Sequence, residues 1–384
     1  MVKFSVEKKA LSEATIMLAQ VANLKSIGAA PAESSGIQLT PTTMILTNNN
    51  EANGIRVEGI PITVLDGNVG EHVEDVSMIN TKKFASIVKG SKATINFLVT
   101  KDKIAIGEGN RRFDLAVYST PQVDAPVITF SDEKIQIKDV VKNLIDSNLI
   151  TENSTDITEL AGTLLTGDKL ISSDRISVLY IEHGGLFCDE HNDMVIPADL
   201  FSACLSKTTE KEATIGITEG RNSVALQIGN ITLTKCLMTS KYPKKQLYGH
   251  IDNTSKDIDE SVVRATISLK EFMEKLHEIR EIVEADDYYL KFLKDGSVSI
   301  ENNNTKGGAE GTVYVDATVV MSDELGEEIS GKFSYTHLDL FGKLFSGEEN
   351  IELHSSIGNQ GTTKVLRFLA VKTQGRMFFC TPKQ

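Results

Sequence analysis

The sequence of 384 residues is too long for one ordinary core and predicts two or three domains. Its formal net charge of −13 makes the average surface repel phosphate, which excludes indiscriminate nucleic-acid binding and confines any such contact to a segregated face. No run of about 18 apolar residues occurs, so no membrane-spanning segment is expected, and the opening "MVKFSVEKKA" lacks the apolar stretch of a signal peptide, which points to the cytoplasm.

In chain order, "VEKKALSEATIMLAQVA" places Leu11, Ala14, Leu18 and Val21 three and four residues apart and predicts a helix with one apolar face. "TKKFASIVKG" predicts a second helix, capped by Asn80 or Thr81, with Phe84, Ile87 and Val88 on its buried side. Three short β segments follow: "TINFLV", "KIAIGEG" and "RRFDLAVYSTP". The same order returns twice. "IKDVVKNLIDSNLI" and "PADLFSACLSK" precede "ATIGIT", "SVALQIG" and "ITLTKCLMTSKYP"; "SLKEFMEKLHEIREIV" and "THLDLFGKLFSG" precede "NIELHSS", "KVLRFLAVK" and "RMFFCTPK". Ser268 with Glu271 and Thr336 with Asp339 carry capping signals, and Pro197 suits a first helical turn.

The first helices of the three stretches begin near Glu7, Lys138 and Lys270, about 130 residues apart, which is the mark of an internal repeat. The expected architecture is α+β: three similar domains, 1–125, 126–253 and 254–384, each with two helices backed by β-sheet. Boundaries are expected near "STPQVDAPVITFSDE" and "SKYPKKQLYGHIDNTSKDID", where turn formers cluster and period is lost.

Charge is not spread evenly over these thirds. Residues 1–125 hold 13 basic and 13 acidic residues, so the acidity belongs to the rest of the chain. "KKFASIVKGSKATINFLVTK" has five lysines and no carboxylate, whereas solvated helices usually mix both signs to gain i,i+4 pairs. Lys82, Lys83 and Lys89 therefore form a candidate polyanion face. Without interleaved aromatics or a base-reading Arg/Asn set, DNA would be held by phosphate alone, without sequence preference.

Catalytic signals are missing. There is no phosphate-binding glycine loop, and none of the seven histidines sits in a local nucleophile signature. Cys188, Cys204, Cys236 and Cys380 lie far apart in apolar surroundings and read as buried free thiols. His183, Cys188 and His191 are spaced unlike common zinc ligands and read as an exposed turn. The expectation is a non-enzyme without cofactor or metal, and that cluster is the sole support for an enzyme of unrelated fold.

The repeat, together with "MVKFSVEKKAL", "TKKFASIVKG", "LISSDRISVLYIE", "VIPADLF", "TLTKCLMTSKYP", "KFSYTHLDLFGKLFSGEENIEL" and the ending "FFCTPKQ", resembles the bacterial-type DNA polymerase sliding clamp, the beta subunit of DNA polymerase III, along the whole chain. That resemblance implies a homodimeric, six-domain ring, joined head to tail, that encircles double-stranded DNA. It serves as a processivity factor for the replicative DNA polymerase and is placed by a clamp loader. Matched to the family pattern, Lys25, Lys82, Lys83 and Lys89 fall at DNA-facing positions. A groove for partner peptides carries over as Leu160, Ser173, Arg175, Ile176, Pro243, Phe379, Thr381 and Pro382. Phe113 and Leu115 on one side, with Leu276 and Ile279 on the other, are the implied subunit contact.

Three departures from the pattern matter. Ala198 and Asp199 replace a basic pair, "SSDRI" lacks the usual glycine and histidine before its arginine, and the tail is one residue shorter, so charge inside the ring and peptide preference are expected to differ. The internal "LDLF" at 338–341 looks like a partner peptide but is expected to pack in the core. The alternative is a clamp-like peptide-binding protein that does not encircle DNA, favoured by the acid-rich helix "LKEFMEKLHEIREIVE". Cellular or viral origin stays open.

Overall fold

The computed structural model describes residues 1–23, 33–49, 53–72, 76–118, 135–137, 140–151, 160–182, 194–197, 204–205, 213–217, 223–237, 242–302 and 310–383. Strand β1 (Val2–Glu7) runs into α1 (Lys8–Asn23), followed by β2 (Ser34–Leu39), β3 (Thr43–Asn49), β4 (Asn53–Pro61), β5 (Thr63–Asp66) and β6 (Val76–Asn80). Helix α2 (Thr81–Gly90) then leads to β7 (Thr94–Val99), β8 (Lys103–Glu108) and β9 (Arg111–Ala116).

The middle stretch contains β10 (Ile135–Ile137), α3 (Val140–Thr151), β11 (Gly162–Leu165), β12 (Lys169–Ser173), β13 (Ser177–Glu182), β14 (Met194–Pro197), β15 (Ala213–Ile217), β16 (Ser223–Ile228) and β17 (Ile231–Cys236). After α4 (Lys244–Asp259) come β18 (Val263–Ser268), α5 (Leu269–Val283), β19 (Asp287–Leu293), β20 (Ser297–Asn302), β21 (Gly311–Met321) and β22 (Glu328–Ser334). Helix α6 (Tyr335–Leu344) precedes β23 (Asn350–Ser355), β24 (Ile357–Gln360), β25 (Thr363–Leu366), β26 (Leu369–Thr373) and β27 (Arg376–Cys380). Mixed helix and sheet is thus the observed class.

Local sequence explains the elements. In β1 alternate residues Val2, Phe4 and Val6 are buried, and the ring of Phe4 stacks on Phe97 of β7 at 4.9 Å. Helix α1 buries Leu11, Ala14, Leu18 and Val21 as the period requires, together with Met17. Asn80 is the cap of α2: its side chain accepts from Lys83 N at 3.0 Å, while Thr81 turns inward to Ser35 Oγ at 2.7 Å. Ser268 caps α5 as expected. The cap of α6 is Ser334, not Thr336, because β22 ends one residue before the helix and Ser334 alone has the extended backbone a cap needs.

The chain divides into two compact units. The first comprises Met1–Ile145, Leu165–Asp168 and His183–Thr239. It holds a sheet in the order β5-β1-β7-β8-β9 and another in the order β10-β15-β16-β17-β4-β3-β2-β6. The second comprises Asp146–Leu164, Lys169–Glu182 and Ser240–Gln384. Its strands neighbour one another in the order β11-β12-β13-β27-β26-β23-β18-β21-β20-β19-β22, with β24 and β25 as a separate hairpin.

One topological rule recurs. The strand entering the first helix of each stretch pairs antiparallel with the strand after the second-helix position: β1 with β7, β10 with β15, β18 with β23. Most of "PADLFSACLSK" lies outside the described residues.

Helix α4 corrects the sequence reading. "SKYPKKQLYGHIDNTSKDID" looked like a turn-rich boundary, yet 16 of its residues are helical, with Leu247, Ile251, Thr254 and Ile258 buried along one side. Only four small apolar or hydroxyl anchors carry that face, so lysines, asparagines and aspartates masked its period. Cys204, Cys236 and Cys380 are unbridged, and burial pushes the Cys204 thiol up to about 12. Among the described residues no helix is long and apolar enough to cross a membrane, and no three His, Cys, Asp or Glu side chains are placed to hold a metal.

Candidate functional site

Helices α1 and α2 lie side by side and leave a groove of ≈ 570 Å³, lined by Lys8, Ile16, Gln20, Lys82, Ser86 and Lys89 among others. Phe84 and Val88 hold α2 to the sheet, so Lys82, Lys83 and Lys89 stand exposed. None of the three forms an ion pair among the described residues. The C-terminal carbonyls of α2 gather further cations: Lys8 Nζ donates to Ser91 O at 2.6 Å and Arg111 Nη1 to Gly90 O at 2.7 Å. Lys25 lies outside the described residues.

The corresponding helices of the second unit are neutralised. On α5 Lys270 meets Glu274 at 3.8 Å and Lys275 meets Glu278 at 2.8 Å; on α6 Lys343 meets Asp339 at 2.8 Å, and His277 reaches the same carboxylate at 3.1 Å. The two helices approach closely at Gly342, where a Cβ would stand 2.7 Å from the Met273 side chain. A phosphate chain therefore finds free ammonium groups on α2 but not on α5 or α6.

A second site surrounds the terminal strand. Residues Ser173 to Ser177 form a tight turn around Asp174, whose Oδ1 accepts from Ile176 N at 3.1 Å, Ser177 N at 2.6 Å and Ser177 Oγ at 2.9 Å. Its Oδ2 meets His337 Nε2 at 2.9 Å, and His337 Nδ1 lies against Ser334 Oγ. Burial, the largest influence, pushes the Asp174 carboxyl up. The His337 hydrogen bond and charge, with the Ser177 donors, more than offset it and hold the group below the ordinary aspartate value.

The turn grips the chain end. Strand β13 pairs with β27, Val178 opposite Phe379, and Thr381 N donates to Ile176 O at 2.9 Å. Beyond this junction opens a cleft of ≈ 1020 Å³ bordered by His250 and Thr254 of α4, Leu366, Phe368, Phe379 and Pro382. Lys383 N closes one side by donating to Lys332 O at 2.7 Å.

The structure thus brings Ser173, Arg175, Ile176, Phe379, Thr381 and Pro382 to one place. Of the expected groove residues only Phe379, Thr381 and Pro382 line the cleft; Ser173, Arg175 and Ile176 belong to the turn behind it, Leu160 is buried and Pro243 is half-buried ahead of α4. Sequence reasoning missed the wall made by α4, the β24–β25 hairpin and the Asp174–His337 pair; the spacing of Leu247, Ile251, Thr254 and Ile258 was the signal available for the first.

The expected contact residues separate by burial. Phe113 on β9 is 39% exposed, whereas Leu115 is 6% exposed and packs inward. Leu276 and Ile279 are a correction: they are 0% and 1% exposed, on the side of α5 that faces its own sheet, and cannot meet another subunit directly. The exposed apolar residue of that helix is Ile282, at 65%. His183, Cys188 and His191 lie outside the described residues.

No known family model matches the sequence, and no curated protein matches it. Solved structures do. The chain is similar to the DNA polymerase sliding clamp of Bacillus subtilis, with 18% identity, a TM-score of 0.75 and coverage of 100% of this chain and 99% of that one. The DNA polymerase III subunit beta of Pseudomonas aeruginosa gives 14% identity and a TM-score of 0.75 with both chains covered in full. A Helicobacter pylori beta clamp bound to a DNA ligase peptide gives 16% identity and a TM-score of 0.74, again over both whole chains. The chain has the sliding-clamp fold.

Proposed function

We propose that the protein is a DNA sliding clamp: two copies close head to tail into a ring of six domains that encircles duplex DNA and tethers a replicative polymerase and other partners through the terminal cleft. The domains are 1–125, 126–253 and 254–384, with a loader opening the ring and the cytoplasm as its place of work. Its role is that of a processivity factor, not a catalyst.

The observation that carries this reading is a strand junction made twice and left open once. The last strand of the middle stretch, β17, pairs with β4 of the first, Ile231 opposite Val57; the last strand of the third, β27, pairs with β13 of the middle, Ser177 opposite Cys380. Among the described residues the equivalent strand of the first stretch, β9, pairs only with β8, and the Gly311–Asp316 half of β21 pairs only with β20. A contact from β9 to the partner's β21 would make the junction a third time, and a head-to-tail contact closes into a ring under two-fold symmetry. Exposed apolar groups stand by both edges. Phe113 is on β9, Tyr314 on β21 is 59% exposed, and Ile282 adjoins Val283, whose Cγ2 lies 3.0 Å from where a Cβ of Gly311 would be.

Charge suits a loose grip. Free lysines on α2 attract phosphate, the paired cations of α5 and α6 add little, and an acidic remainder discourages adhesion elsewhere. Topology then holds the ring on DNA.

The test is retention on nicked circular duplex during gel filtration at moderate salt, after assembly with a loader. Retention that disappears when the circle is linearised is the expected result. The neutralised α5 and α6 favour a second reading, a peptide-binding protein of the same fold that does not encircle DNA; equal loss from circular and linear DNA, with peptide binding intact, would establish it.

A further inference from the structure

The groove between α1 and α2 has a part that phosphate cannot use. Ser12, Ile16 and Ala19 of α1 and Ala85, Ser86 and Val88 of α2 line it. Most of these are small, so a third backbone can come close along both helices. Ile16 is 48% exposed, whereas Thr15, Met17 and Leu18 beside it are buried. On the same wall, Gln20 Oε1 is buried and has no hydrogen-bond partner among the described residues, so a donor from an occupant would complete it.

Charge and shape together narrow the occupant. Lys82 and Lys89 flank the groove, Lys8 stands at its end, and no carboxylate lines it among the described residues. A duplex would use the ammonium groups and gain nothing from Ile16. An extended peptide fits poorly: both walls are helices whose backbone groups are bonded internally, so its own N–H and C=O groups would go unpaired. A helix satisfies its own backbone and can lay one apolar ridge between α1 and α2.

We infer that this groove is a docking site for an acidic amphipathic helix of a protein partner. Its apolar stripe lies on Ile16, Ala19 and Ala85, and carboxylates on its flanks meet Lys82 and Lys89. Such a partner and duplex DNA exclude one another, because both draw on the same lysines of α2. The inference does not require the ring to close, and only the competition with DNA uses the reading of α2 as a DNA face.

Two fluorescein-labelled peptides of about four helical turns test this on the full-length protein. Both are alanine-based; one carries leucines at i, i+4 and i+7 with glutamates on both flanks, and the other has the same residues permuted so that the leucines circle the helix. Anisotropy gives the Kd of each. The amphipathic peptide should bind about tenfold more tightly, since it alone can bury its leucines against Ile16. Ile16→Glu should weaken it about tenfold by removing apolar contact and adding like charge. Replacing Lys82 and Lys89 together by alanine should weaken it about fivefold and flatten its salt dependence. An unchanged thermal midpoint of Ile16→Glu, at a half-exposed site, separates docking from folding. Duplex DNA should displace the peptide.

Equal affinities for the two peptides would overturn the inference, because the face would then be a polyanion surface and nothing more. An unchanged Kd in Ile16→Glu would overturn it as well, as would failure of the amphipathic peptide to bind. A duplex that binds the protein yet leaves the peptide in place would put the peptide elsewhere and overturn it too. Absence of duplex binding would sink the clamp reading, while tighter binding of the amphipathic peptide and its loss in Ile16→Glu would still uphold the docking site.

Discussion

His337 Nε2 stands 2.9 Å from Asp174 Oδ2, joining the first turn of α6 to the turn that holds the terminal strand. Both residues are buried, at 7% exposure each, so the pair is shielded from solvent and salt. Removing His337 leaves the buried Oδ2 without its partner while Oδ1 keeps the donors of Ile176 and Ser177, a loss of about 1 to 3 kcal/mol. His337→Ala should therefore lower the urea midpoint by that equivalent.

The same pair predicts an acid limit. The folded-state pKa of Asp174 is lowered from 3.8, so the unfolded chain takes up the proton first as pH falls. Its stabilisation is fully present above that ordinary value and is lost as pH drops through the folded-state value. Urea midpoints measured at several pH values below 4 should fall less steeply in Asp174→Asn than in wild type, and parallel slopes would contradict the assignment.

For DNA, Lys82→Ala, Lys83→Ala and Lys89→Ala should each reduce the slope of log affinity against log salt by about 0.9. Lys270→Ala and Lys275→Ala should leave it nearly unchanged, because Glu274 and Glu278 already neutralise those ammonium groups. Titrations of duplex DNA at several salt concentrations measure both.

At the subunit contact, Phe113→Asp and Ile282→Asp should each shift the mass seen by sedimentation equilibrium from twice 42.0 kDa to 42.0 kDa. Leu115→Glu is a poorer probe, since the new charge would be buried in the first unit's own core. A dimer that survives both aspartate variants would refute the β9 to β21 junction.

Leu276→Ala provides the contrast. This side chain is 0% exposed, and its truncation should cost about 3 kcal/mol in denaturant unfolding through the cavity left under α5. Well above the dissociation constant the mass should remain that of the dimer.

Ending the chain after Cys380 removes Thr381, Pro382 and Lys383, which border the cleft, but spares the pairing of β27 with β13. Peptide affinity should be lost while the far-ultraviolet spectrum persists.

Much of this molecule is determined locally. Hydrophobic period placed α1, α2, α3, α5 and α6, and alternation placed the strands after α2 and those of the terminal region, because a half-buried element needs apolar residues at its own spacing. The repeat was legible in distances, and the lysine face in the absence of any nearby acid. Burial of Leu276 beside exposure of Ile282 was not legible: both are apolar residues of one helix, and only the sheet behind it fixes which side is covered. The same holds for α4, whose sparse anchors acquire meaning from what they pack against. Asp174 and His337 are 163 residues apart, and their pairing arises only when the start of α6 is brought against the turn after β12. Sequence by itself determined the elements and their order, since those depend on neighbours along the chain. Tertiary structure decided which strand edges stay open and which cations stay unpaired, since both depend on residues brought together from far apart.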